Sequence, residues 1–390
     1  MINFLKFLFK AIAALLVIVI VFLICFVWFY YKDVTGLELY NNEQISEIIP
    51  YYDNIYVITE NGNCYVSGNY HSSSSRKYRN SESYHNDKLN MASPVKIFDK
   101  KVQQVIPYGA VGALLIDEEN VLFDFNDFDI KEIYNNVSFA VKASLDQGKR
   151  IFGTDNKALY YVIDKTNVLY AVNENGESKE LFSAVSAVDI YLDKILVLNN
   201  DGVLNQYRIS EDGEIILTEK LFEGVSSFDV KDTSLRYDGE KFVFNDEAAK
   251  NMPLINVLTN DGELYVKGAY NLLCCTRSLA AYSEPKVFNE WTLIAEDVES
   301  FSLAPMGTAI KYMNNTAGYY GFDTDNSADS KFEFGYLQLD PTEVIDVYAS
   351  DVQVLIKTEQ AFYTWGYSLE YDVSDSEHNL FNGTPIIVYP

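Results

Sequence analysis

Two kinds of apolar patterning divide the chain. From Ala11 to Tyr31 run 21 uncharged, mostly apolar residues, AIAALLVIVIVFLICFVWFYY, without interruption. As a helix they would span roughly 30 Å, the thickness of a bilayer core. Beyond about residue 38 the apolar period drops to two, and one pattern recurs in seven eleven-residue segments: an apolar start, a polar turn, then alternating apolar and aromatic residues. They begin at Ile58 (ITENGNCYVSG), Ile116 (IDEENVLFDFN), Ile163 (IDKTNVLYAVN), Leu198 (LNNDGVLNQYR), Leu258 (LTNDGELYVKG), Met313 (MNNTAGYYGFD) and Ile356 (IKTEQAFYTWG).

Each segment predicts a β-hairpin. Asn61-Gly62, Asp201-Gly202 and Asp261-Gly262 suit the positive φ of a tight type I′ turn, and the flanking alternation buries one face. Upstream of each lies an apolar pair, Ile45/Ile48, Val102/Val105, Val137/Val141, Val185/Val188, Val225/Phe228, Val298/Phe301 and Val344/Val347, which adds a third strand per unit. The hairpins are spaced 58, 47, 35, 60, 55 and 43 residues apart. Units of that size are too small to bury a core alone and stack face to face around an axis, which predicts an all-β, seven-bladed β-propeller preceded by one transmembrane α-helix. The final strand, Pro385 to Tyr389 (PIIVY), matches Pro94 to Phe98 (PVKIF) and Pro285 to Phe288 (PKVF), and is expected to pair with the first blade and close the ring.

The segments LTNDGELYVKG and IKTEQAFYTWG, each preceded by a Val-x-x-apolar strand, together with the Pro-x-x-apolar strands, resemble the repeats of the regulator of chromosome condensation family. The resemblance covers about 350 of the 390 residues. It implies a seven-bladed propeller. Of the family's Trp-Gly, Asn and Gly-Gln-Leu-Gly continuation only Trp365-Gly366, Gly68 and Gly268 keep a trace, so exchange-factor activity on a small GTPase and chromatin binding are not carried over.

The apolar run reads as an uncleaved anchor. It ends Trp28-Phe29-Tyr30-Tyr31, an interfacial aromatic belt with no small-residue cleavage site, and Ile24 precedes Cys25 where a lipid-attachment motif needs a small side chain. Lys6 and Lys10 precede the run, and acidic residues dominate after Lys32, so the positive-inside rule places the N-terminus in the cytoplasm and the bulk of the chain outside it. The expected organisation is a basic tail (1–10), a bilayer-spanning helix (11–31), a linker (32–37) and the propeller (38–390).

The formal charge of -26, from 56 acidic against 30 basic residues, counts against nucleic acids, which need clustered Lys and Arg. Proteins and polysaccharides remain as partners. Cys25, Cys64, Cys274 and Cys275 show no zinc spacing, and His71, His85 and His378 form no HExxH motif. No GxSxG elbow, P-loop or GxGxxG appears, and Asp323 to Asp329 lacks the Gly and Glu of a calcium loop. No catalytic residue, metal or cofactor is expected.

Where the second strand of the hairpin leaves the sheet, three units place an aromatic beside the terminal Gly: Tyr70, Tyr270 and Tyr367, the last near Trp365. Equivalent positions lie on one face and around one ring, so these four residues are the candidate binding surface. The leading expectation is a non-enzymatic, surface-displayed interaction module. The rival, a membrane-anchored glycosidase-like hydrolase, predicts paired carboxylates converging at the axis.

Overall fold

The structure is a computed structural model that describes residues 43–51, 54–69, 90–108, 112–126, 129–143, 152, 158–191, 194–210, 213–231, 236–237, 242–243, 250–251, 253–270, 286–305, 307–321, 332–333, 344–349, 353–359, 362–366 and 386–389. These residues form seven four-stranded antiparallel sheets in chain order. The inner strands are Ile45–Tyr51, Val102–Tyr108, Val137–Lys142, Val185–Tyr191, Val225–Lys231, Val298–Ala304 and Val344–Ala349. Neighbouring sheets touch in order, and the inner strand of the seventh touches that of the first. The molecule is an all-β propeller.

All seven expected hairpins form. Their first strands are buried on both faces, as in Gly112–Asp117 and Leu254–Thr259, because each sheet is sandwiched between two others. The outer strands are far more exposed. Apolar clusters fill the gaps between sheets: Tyr56, Cys64, Leu115 and Phe125 between the first and second, Leu114, Leu122, Val137 and Val162 between the second and third, Leu196, Leu204, Val225 and Val257 between the fourth and fifth. Truncating such a Leu to Ala costs roughly 2–5 kcal/mol. Cys64 is one of these packed residues, and burial pushes its thiol up to about 12, so it is an inert core group.

The hairpin turns differ from the expected type I′. Positive φ falls on Gly62, Gly202 and Gly262 but not on the Asn or Asp before them, and on Asn120, Asn167 and Asn315 in the units that lack Gly. Gly62 N–H donates to the Thr59 carbonyl (2.8 Å) and Thr59 N–H to the Asn63 carbonyl (3.0 Å), the signature of a type I turn closed by one left-handed residue. The first residue of the turn fastens it. Asp117 Oδ1 accepts N–H bonds from Glu119 (3.0 Å) and Val121 (2.9 Å), and Asp164 Oδ1 from Thr166 (2.8 Å) and Val168 (3.0 Å).

In the first six units the same left-handed residue ties its sheet to the next. Its carbonyl accepts the first N–H of the following inner strand: Val102 to Gly62 (2.7 Å), Val137 to Asn120 (2.9 Å), Val185 to Asn167 (2.9 Å), Val225 to Gly202 (2.9 Å), Val298 to Gly262 (2.9 Å) and Val344 to Asn315 (3.3 Å). A β-bulge follows that first residue in all seven inner strands. In four sheets a serine at the bulge, Ser46, Ser138, Ser186 or Ser226, bonds a carbonyl of the neighbouring strand.

Three expectations need correction or bounding. In the third unit the buried marker is Val137/Ala140, and Val141 faces the axis instead. The last strand, Ile386–Tyr389, pairs with Phe362–Gly366 of its own sheet rather than with the first blade. Closure rests on packing of Ile48 and Val57 against Leu355, and on Lys357 Nζ, which donates to the Ser46 carbonyl at 2.5 Å. The apolar run 11–31 lies outside the described residues, among which no helix is long and apolar enough to cross a membrane.

Candidate functional site

Strand register fixes which features share an end of the propeller. Tyr51 pairs with Asn54, Asn54 with Gly68 and Gly68 with Met91, so the end of the inner strand and the end of the third strand lie together, opposite the hairpin turns. In the fifth sheet Lys231 pairs with Leu254, and Tyr270 lies at the same end through its pairing with Lys286. The inner-to-second and third-to-fourth connections therefore gather on one face.

On the axis, between the C-terminal halves of the inner strands, lies a cavity of about 580 Å³ lined by residues of all seven sheets. That volume is within the roughly 300–1,000 Å³ range of small-molecule sites. The residue after each buried marker points into it. In order these are Ile49, Ile106, Val141, Asp189, Asp229 and Ser302, with Ala349 of the seventh sheet alongside. Two neighbouring sheets thus place carboxylates in a ring that is otherwise apolar or neutral.

The two carboxylates are held differently. Asp229 accepts a 2.9 Å ion pair from Lys231. Asp189 accepts the N–H of Ile190 (2.6 Å) and that of Val230, and none of the ion pairs among the described residues includes it. Burial, followed by repulsion from Asp229, pushes Asp189 up to about 7 against the opposing pull of Lys231 and the two N–H bonds.

A second polar group borders the cavity between the second and third sheets. Asp124, 8% exposed, accepts bonds from Lys142 Nζ (2.6 Å), Tyr160 hydroxyl (2.5 Å) and Tyr108 hydroxyl. Lys142 Nζ also donates to the Tyr108 oxygen (2.8 Å) and stands 4.0 Å from the centre of its ring. Burial and then the Asp124 charge hold the Tyr108 hydroxyl far above its usual range; burial and then its bond to Asp124 do the same to Tyr160. These cations and phenols are spent on one another. The group is a buried pin between sheets with one edge on the cavity.

Two of the four expected binding residues, Tyr270 and Trp365, are among the described residues. Tyr70 and Tyr367 lie outside the described residues, as do the histidines, Cys25, Cys274, Cys275 and the Asp323 to Asp329 segment. Trp365 is in the strand Phe362–Gly366. Tyr270 is corrected: it is fully buried, its hydroxyl 2.8 Å from Thr308 Oγ1 and its ring edge-on to Phe288, because the third strand runs on past Gly268 to keep it between the fifth and sixth sheets. The acid pair is absent from the sequence expectations, although the sequence holds a signal for it. Aligned on the buried marker, the column reads Ile, Ile, Val, Asp, Asp, Ser and Tyr348, with two adjacent acids where apolar residues prevail.

Fold and site together define a β-propeller with an axial cavity. Solved structures with a similar fold include Prp20p from Saccharomyces cerevisiae, described with its binding properties to Gsp1p and histones (13% identity over 71% of this chain and 72% of that one, TM-score 0.43). Human WBSCR16 matches at 14% identity over 90% and 82% (TM-score 0.44), and Kluyveromyces lactis Hsv2 at 15% over 70% and 76% (TM-score 0.40). No family model and no curated protein matches the chain.

Proposed function

We propose that the chain is a membrane-tethered, seven-bladed propeller that binds a protein partner on the face where its axial cavity opens. The seven sheets are read as seven blades, and the apolar run Ala11 to Tyr31 as the anchor that holds them outside the cytoplasm. The observation that carries the binding reading is the gathering of a roughly 580 Å³ cavity and the inner-to-second and third-to-fourth connections at one end, with tight hairpin turns at the other. Tyr70, Trp365 and Tyr367 remain proposed contributors to that face, since the third strands end there; a wall polysaccharide is the second class of partner it would suit.

The test uses the full chain, C-terminally tagged, in intact cells. A photo-cross-linking residue at Lys194, at the cavity end of the fourth sheet, is expected to yield a discrete adduct, and one at Asp201 in the opposite turn none. Adducts at Asp201 alone would overturn the assignment of the face. External protease is expected to remove the tag; a protected tag would overturn the topology.

One observation favours a second reading, a glycosidase-like hydrolase. Asp189, its carboxyl pushed up to about 7 by burial and by the neighbouring Asp229, pairs with that second carboxylate as a candidate acid and base. Hydrolysis of aryl glycosides that vanishes in both Asp189→Asn and Asp229→Asn would establish it, and inactivity of the wild type across a glycoside panel would remove it.

A further inference from the structure

The axial cavity has a charge imbalance that its own residues leave standing. Of the charged groups on its wall, Lys142 is neutralised by Asp124 at 2.6 Å and Lys231 by Asp229 at 2.9 Å. Asp189 is left with two backbone N–H donors and no ion pair among the described residues, next to the Lys231–Asp229 pair. The rest of the wall is uncharged, with Ser227 and Ser302 among apolar and aromatic residues that include Phe139, Phe228 and Phe301 on three different inner strands. A carboxylate in an aromatic-walled cavity is the arrangement that recognises a weakly hydrated organic cation, through one charge-assisted hydrogen bond and the ring faces.

We propose that this cavity is a binding site for an alkylguanidinium or alkylammonium group, seated on Asp189 beside the Lys231–Asp229 pair. An anion is disfavoured because both lysines already have carboxylates. A divalent metal is disfavoured too, since no group of three metal-ligating side chains occurs among the described residues. The volume accommodates a cation with several carbons attached, as in an arginine or lysine side chain or a small polyamine. The inference stands on the cavity alone: a cation that binds where no protein is captured, or the reverse, would separate it from the proposed function.

Binding consumes the charge of Asp189, so protons compete. Its carboxyl faces Asp229 and Lys231 on the next inner strand, with Lys142 and Tyr108 farther round the cavity wall. A bound cation favours the ionised form, so affinity rises with pH through about 7 and then levels off.

The experiment is calorimetric titration of the full chain in detergent with n-butylguanidinium, against the neutral amide valeramide. The expected result is binding of the cation alone, about thirtyfold tighter at pH 8 than at pH 5.5, weakened at least tenfold at pH 8 by Asp189→Asn, with fractional proton release at pH 6.5 in buffers of differing ionisation enthalpy. Equal affinity in wild type and Asp189→Asn, equal binding of the amide, or no heat at millimolar cation would overturn it. Asp229→Asn provides the second variant and is expected to weaken binding less. An acetylated, amidated Gly-Gly-Arg-Gly-Gly peptide separates the sources: tighter binding than butylguanidinium points to a partner's side chain, weaker binding to a free small cation.

Discussion

Lys142 Nζ lies 2.6 Å from Asp124 Oδ2, joining the inner strand of the third sheet to the hairpin of the second. Both groups are largely withdrawn from water, so the pair matters chiefly through what happens when one member is lost. Lys142→Met strands a buried carboxylate and is expected to destabilise the chain by about 3 kcal/mol. Adding Asp124→Asn removes that charge and should recover more than half of the loss, as read by urea unfolding followed by circular dichroism. A double variant no more stable than Lys142→Met would show that the pair does not act as a unit.

Asp189 gives a pH signature. Its folded pKa, about 7, lies above the unfolded carboxylate value near 4, so the folded state binds the extra proton between those limits. Stability from this group is therefore present in full below pH 4 and lost as pH rises to about 7. Asp189→Asn removes the dependence and is expected to stabilise the chain on the order of 2 kcal/mol at pH 8, with little effect at pH 4. Unfolding midpoints of the two proteins across that range supply the test, and parallel curves would refute the assignment.

Ala184 has φ of 57°, a left-handed conformation that a β-carbon disfavours, at the position where the fifth sheet has Gly224. Ala184→Gly is expected to raise stability by about 0.5–1 kcal/mol, a reversal of the usual cost of glycine. Gly262 stands at the other extreme. A β-carbon there would come 2.8 Å from Met313 Cε and 3.3 Å from the Val298 carbonyl, at φ of 80°. Gly262→Val should cost more than 2 kcal/mol, because it strains both its own turn and the junction with the sixth sheet. Thermal unfolding of the two variants distinguishes these opposite signs.

Burial opposes the charge of Asp164, but N–H bonds from Val168 and Thr166 and the Thr166 hydroxyl outweigh it and hold the carboxyl below its ordinary value. Asp164→Ala leaves those donors without their acceptor and is expected to cost about 1–3 kcal/mol at pH 7. A depressed pKa contributes above the unfolded value near 4 and is lost as pH falls further, so the cost of the substitution should shrink below pH 4. A cost that is flat from pH 7 to 3 would count against it.

The seven hairpins were legible because a strand covered on both sides must be apolar, while its turn must be polar and admit a left-handed residue. The type of turn was not. Asn-Gly and Asp-Gly serve either geometry, and the choice is set by the bond from the left-handed carbonyl to the next sheet, a partner some 20 to 40 residues away in most units. The sequence pattern points Tyr270 outward because Gly68 and Gly268 read as strand ends, whereas Gly268, at φ of 118°, lets the strand continue beneath the next sheet. Closure was misassigned because a Pro-x-x-apolar strand reads the same whether it edges its own sheet or another's. The acidic pair required comparison down a column of units rather than along the chain.

The two ends of the propeller obey different rules of variation. At the hairpin end six of the turns are bonded to the next sheet, as Gly202 is to Val225, so an insertion there must break a junction between sheets. At the cavity end the fifth sheet carries an extra three-stranded excursion, Arg236–Tyr237, Phe242–Val243 and Lys250–Asn251, between two of its strands, and its four-stranded pairing is kept. For anyone grafting sequence into this scaffold, that junction accepts a new segment at little cost to the ring. The same asymmetry lets a lineage vary one end of the molecule while leaving its frame untouched.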